Sequence, residues 1–169
     1  MEVKVLRFLC WCLLGSPLLS AAQNTGACPA GWVQFKQSCY LLHSQKTNWY
    51  ESELVCKGHH STLAIVTDKD ENDFIKNTIR NAHSGENDAH VWLGAGDDVV
   101  EGHFLWYGTD EHLTFTNWGP NEPNSVPLNI NEDCLVYWAQ YDWEWADYDC
   151  HQQCFSVCEK QAGDTEIIG

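Results

Sequence analysis

Asn117-Trp-Gly-Pro-Asn-Glu-Pro-Asn-Ser-Val-Pro-Leu-Asn-Ile-Asn-Glu-Asp-Cys134 is the stretch on which the reading of this 169-residue chain turns. It holds three prolines and five asparagines and follows neither the helical nor the strand period. A structureless loop of this length inside a compact domain usually carries function. Short apolar runs flank it. Val91-Trp92-Leu93 and Phe104-Leu105-Trp106-Tyr107 come before; Cys134–Trp138 and Phe155–Cys158 come after, and each reads as a strand.

The first half of the chain has a different character. Cys28-Pro-Ala-Gly31 opens a hairpin with strands expected at Trp32–Phe35 and Ser38–Leu42. Asn48 with Glu51 three residues on is a capping-box signature, and Trp49, Ser52 and Cys56 fall on one helical face. Asp68 with Glu71 repeats the signature ahead of Phe74, Ile75 and Ile79, in a helix expected to end near His83-Ser84-Gly85. Two helices followed by a half of strands and long loops predict an α+β domain.

The extreme N-terminus reads as an export signal. Lys4 and Arg7 precede an apolar run from Phe8 to Leu19, and Ser20-Ala21-Ala22 offers a cleavage site. Residues 1–22 are therefore expected as a signal peptide, 23–160 as the domain and 161–169 as a loose tail, in a secreted protein with no membrane insertion. Acidic residues outnumber basic ones by 24 to 9, which repels nucleic acid and anionic membranes and favours cations. Loss of Cys10 and Cys12 with the signal leaves Cys28, Cys39, Cys56, Cys134, Cys150, Cys154 and Cys158. In an oxidising compartment these read as disulfides, with one sulfur left over. The sequence carries no His-Glu-x2-His, Gly-x-Ser-x-Gly or phosphate-loop motif, so no enzyme is expected.

Taken together, Cys28…Cys39, Trp49-x2-Ser52-x3-Cys56, Val91-Trp92-Leu93-Gly94, Asn117-Trp118, Glu122-Pro123-Asn124, Glu132-Asp133-Cys134, Trp145-x-Asp147-x2-Cys150 and Cys158-Glu159-Lys160 resemble the C-type lectin domain family. The build is that of its single-domain secreted members of perlucin-like, mannose type. The resemblance implies the C-type lectin fold with pairings Cys28–Cys39, Cys56–Cys158 and Cys134–Cys150. It leaves Cys154 unpaired, and a disulfide to a second chain through Cys154 would give a homodimer.

The same resemblance implies a Ca2+ ion held by Glu122, Asn124, Glu132 and Asp147, beside a cis Glu122–Pro123 bond. These are the oxygen ligands that a hard cation takes. Neighbouring sugar hydroxyls would fill the open positions, contacted by the same four residues. The aromatic segment before Asp147 adds its own reading: Trp143, or Tyr141 in its place, lies beside the site to stack on the ring, the alternative for each being strand packing. Glu-Pro-Asn goes with mannose, N-acetylglucosamine or fucose. Asp97, Glu101 and Asp133 fall where the family has an auxiliary calcium site, although Ser125 stands where that site often has an Asp. One departure bears on affinity: Ala146 replaces the usual Asn before Asp147 and supplies no amide oxygen. Calcium binding is therefore expected at or beyond the millimolar end of extracellular modules. Glycans on microbial or cell surfaces are the expected partners, in innate recognition. The alternative is a domain of the same fold that binds protein or mineral matrix without sugar.

Overall fold

The computed structural model describes residues 26–109, 111–124 and 131–163. The expected signal peptide, Ser125 and Pro127 of the loop, and the tail beyond residue 163 lie outside the described residues.

Strands β1 (Val33–Phe35) and β2 (Ser38–Thr47) form the opening hairpin, with β2 running well past the Leu42 expected as its end. Cys28–Cys39 staples it. Helix α1 (Trp49–Gly58) starts at Asn48, whose side chain accepts from Glu51 N at 2.9 Å. The Glu51 carboxylate accepts in return from Asn48 N at 3.4 Å, which completes the capping box. Trp49, Ser52 and Cys56 are buried as the spacing predicts. Cys56 bridges to Cys158 across 102 residues of chain. Closing a loop of that length removes about 4–5 kcal/mol of unfolded-state entropy in the chain-entropy picture.

After β3 (Thr62–Leu63), helix α2 (Lys69–Ala82) is capped by Asp68, which accepts from Glu71 N at 2.9 Å. The reciprocal half of the expected box is replaced by something else. Glu71 is buried, and its carboxylate turns inward to accept Thr67 N at 2.7 Å, Thr67 Oγ1 at 3.0 Å and the Tyr40 hydroxyl. Those donors satisfy a carboxylate that burial would otherwise penalise. Ile75 and Ile79 form the buried stripe, while Phe74 is half-buried and stacks on Phe35 at 4.5 Å.

Strand β4 (His90–Gly96) is buried along its whole length, which explains an apolar run without alternation. Short strands β5 (Leu105–Trp106) and β6 (Glu111–His112) extend the sheet from its far end. On the other side β4 pairs antiparallel with β7 (Cys134–Trp138), which pairs with β8 (Glu144–Tyr148). Strand β9 (Cys154–Gln161) runs parallel to β4 and antiparallel to β2, so both ends of the domain are strands of one sheet. It extends through Gln161, one residue into the segment expected as tail. Alternation along β7 and β8 feeds two cores. Leu135, Tyr137 and Trp145 join Ile75, Ile79, Val91 and Leu93, while Val136 and Ala146 join Trp49, Trp92 and the Cys56–Cys158 and Cys134–Cys150 bridges.

His90 locks the strands that carry the functional loop. Its ring stacks on Tyr148 of β8 at 4.3 Å and tilts against Trp138 of β7 at 4.8 Å. The residue is 8 % exposed, and among the described residues its Nε2 meets no hydrogen-bond partner. Burial pulls its pKa down to about 4, against an opposing pull from Asp88. The folded state thus holds His90 neutral where the unfolded chain binds a proton. Its contribution is fully present above the unfolded pKa near 6.5 and is lost as pH falls toward 4. Stability drops by about 2 kcal/mol from this group between pH 7.5 and pH 5. His90→Phe keeps the ring stack and removes that part of the acid slope, measured as urea unfolding free energy at the two pH values.

Candidate functional site

The Asn117–Asn124 segment is fastened to β8 where it begins. Trp145 N donates to Asn117 O at 2.7 Å, and Gly119 N donates to Trp145 O at 2.8 Å. Gly119 is required by close approach, since a Cβ there would lie 2.7 Å from Cδ2 of the Tyr141 ring. Asn121 takes a left-handed φ of 68°, and Glu122 N closes a turn on Gly119 O at 3.1 Å. The Glu122–Pro123 bond is cis.

The structure then brings three of the four expected ligands into direct contact. The Asn124 side-chain amide donates to Glu122 Oε2 at 2.7 Å. Asn124 N donates to both carboxylate oxygens of Asp147, at 3.0 and 3.1 Å. Asp147 is 2 % exposed on β8, on the same side of the strand as Trp145. The fourth, Glu132, stands close enough to Asp147 for the two carboxylates to repel.

These groups are under electrostatic strain. Burial pushes the Glu122 carboxyl up to about 7, with Asp147 adding to the rise, while hydrogen bonds from Asn124 and Tyr141 oppose it. Glu132 is raised by burial and by Asp147 and Asp149. Its Oε2 is buried and, among the described residues, meets no hydrogen-bond partner. No three His, Cys, Asp or Glu side chains close into a finished cage among the described residues. The donor set is nonetheless the one that a hard divalent cation would complete: mutually repelling carboxylates, an amide oxygen and an orphaned buried oxygen. These are the residues, Glu122, Asn124, Glu132 and Asp147, that could hold a calcium ion.

The auxiliary acids also gather. Asp97 is 2 % exposed, and its Oδ2 accepts Gly102 N at 2.7 Å. Its Oδ1 is buried and meets no partner among the described residues. Burial raises its pKa to about 6, with Glu101 and Asp133 adding to the rise. Asp97 N donates to Asp133 O at 3.0 Å, which sets this group directly beneath the loop's return into β7.

Two expectations are corrected. Trp143 does not lie beside the sugar loop. It is 5 % exposed in the first core, 6.3 Å from the His83 ring. Trp143 stands two residues before Trp145 and joins the same core, as the strand period sets it, while left-handed φ of 55° at Asp142 and 60° at Trp143 mark the turn into β8. Tyr141 takes the neighbouring place, with its ring closing on Gly119 at the start of the loop. Cys154 is likewise unsuited to bridge two chains. It is 2 % exposed in the second core, and burial pushes its thiol up to about 12. The native protein should leave Ellman's reagent unreacted and release one thiol on denaturation, and it should run as a monomer on gels with or without reductant.

A cavity of about 710 Å³ lies away from this loop, between β1, β2 and β9. Its inner groups, Tyr40, Glu71 and Glu159, are engaged with one another and with Thr67 and Ile65 N. That network serves the fold.

Fold and loop together define a disulfide-stapled recognition domain with an acidic, cation-ready loop. Comparison with known proteins agrees. Residues 45–160 match the family model described as Lectin C-type domain. Perlucin of Haliotis laevigata is 33 % identical over 135 residues, covering 79 % of this chain and 83 % of perlucin. A perlucin-like protein of Mytilus galloprovincialis is 30 % identical over 124 residues, covering 73 % and 76 %. Among solved structures, an SPL-1–GlcNAc complex aligns with a TM-score of 0.68 at 30 % identity, covering 79 % of this chain and 94 % of that one. The chain belongs to the C-type lectin domain family, whose domain is a recognition module and not a catalyst. Among the described residues no helix is long and apolar enough to cross a membrane.

The strain in the loop has a measurable consequence. Asp147→Asn keeps an acceptor for Asn124 N and removes the charge that Glu122 and Glu132 both face. In EDTA the variant should melt at or above the wild-type temperature, and it should lose any calcium-induced rise. Differential scanning fluorimetry with and without calcium checks both.

Proposed function

We propose that this protein is an exported, calcium-dependent lectin for mannose, N-acetylglucosamine or fucose. The observation that carries the reading is the Glu122–Asn124–Asp147 constellation, with Glu132 repelled beside it. A bound calcium ion would supply open coordination positions for neighbouring sugar hydroxyls. The selection is made by the chain's own groups. Carboxylates at Glu122 and Glu132 accept from those hydroxyls, and the Asn124 amide donates to them. Asn124 holds the Glu122 carboxylate in place in the ion-free site. The similarity to the SPL-1–GlcNAc complex supports the sugar class. The leader motif at residues 1–22 supports export, and recognition of microbial or cell-surface glycans follows as the role.

Ala146 favours a second reading. It is fully buried in the second core, facing away from the Asp147 side of β8, and brings no oxygen to the loop. A domain short of one ligand could instead bind protein or mineral without sugar. Mannose-agarose chromatography separates the two. The lectin is retained in about 10 mM calcium, above the usual range for extracellular modules, and released by EDTA. Absence of retention, together with an unchanged melting temperature in that calcium, rejects the lectin reading and leaves the second.

A further inference from the structure

We propose that the groove on the far side of Pro123 is a second saccharide subsite, so that the ligand is an oligosaccharide and not a single terminal sugar. The inference rests on the lectin reading and extends it. The groove encloses about 220 Å³ and is lined by His103, Phe104, His112, Leu113, Trp118 and Pro123, with Gly102 and Thr116 at its margins. Pro123 stands between Glu122 and Asn124 in the chain, so a glycan anchored at those two residues has the groove next to it.

The lining has the chemistry of a pyranose site. One face of a sugar ring is C–H and packs on an aromatic plane, while its rim needs groups that both donate and accept. Trp118 is half-buried and rigid, with the Phe104 ring against it at 4.9 Å and the Trp145 ring edge-on at 5.9 Å. A side chain already fixed this way loses little freedom when a ligand covers it. His103 and His112 are exposed and stand 6.5 Å apart, centroid to centroid. The pairing of β5 with β6, in the register Leu105↔His112, brings them together at the same end of the hairpin. Each imidazole offers one donor and one acceptor in its neutral form. The groove's described lining contains no carboxylate, in a chain whose net charge is −15. That composition suits a neutral polyol better than a metal ion or a basic peptide.

The test measures dissociation constants in calcium for methyl α-mannoside, α1,2-mannobiose, α1,3-mannobiose, N-acetylglucosamine and diacetylchitobiose. At least one disaccharide should bind the wild type about tenfold tighter than its monosaccharide, well beyond the twofold that a second identical residue gives by statistics. The exposed-residue double variant His103→Ala/His112→Ala should bring that disaccharide down to the monosaccharide's affinity. Its monosaccharide binding and melting temperature should match those of the wild type. Monosaccharide binding with no disaccharide gain, or a gain that survives the double variant, overturns the subsite alone. Failure of every sugar to bind overturns the lectin reading and the subsite together.

Discussion

Two main-chain hydrogen bonds, Trp145 N to Asn117 O and Gly119 N to Trp145 O, join the long loop to the middle of β8. The functional half of the domain depends on them. A loop rich in proline and asparagine has little to organise it from within, and its position has to come from a neighbour. The neighbour here is one of the most buried side chains in the molecule. Trp145 is 0 % exposed, with Trp106, Phe115 and Trp118 all set edge-on around it. The geometry of Glu122 and Asn124 is thereby referred to the core, two residues along the strand from Asp147.

That anchoring is also what makes the site costly. A carboxylate free to move would turn toward water and away from like charge. Asp147 is held on a strand, Glu122 is held by Asn124, and Glu132 is half-buried beside them. Glu122 and Glu132 therefore sit where their charged forms are disfavoured, which would suit them to a cation. Disulfides and two aromatic-rich cores supply the stability against which this cost is set. The auxiliary acids around Asp97 repeat the pattern one layer below.

Much of this was legible in the sequence, for identifiable reasons. Both helices follow from capping residues and apolar spacing, which are local signals, and α1 begins where Asn48 and Glu51 place it. The three disulfides came with the family resemblance; spacing alone left their pairing open. Misplaced features depend on contacts distant in sequence. Glu71 abandons its local partner because Tyr40, brought over by β2, offers a donor from inside. Trp143 is buried because it shares the core of Trp145, two residues on, and which aromatics of that segment the core takes up depends on how β8 packs against the helices and β4. Cys154 could be recognised as unpaired but not as buried, since burial depends on β9 lying between β2 and β4.

Ala146 connects the loop's weakness to its surroundings. On a strand, adjacent side chains point to opposite faces, and the β7–β8 register sets Ala146 opposite Val136 in the second core while Asp147 lies opposite Leu135 toward the loop. The small side chain is fully buried in the cluster that holds the Cys134–Cys150 bridge and Trp92, so this position serves the core. On the proposed lectin reading, a calcium site short of one ligand would hold a sugar through fewer contacts. Useful affinity then has to come from additional contacts on the same ligand or from several sites acting together. With Cys154 sealed in the core, a covalent dimer is not the means by which this chain gains further sites. On the proposed reading, those contacts would lie beyond Pro123, in the groove lined by Trp118 and two exposed histidines.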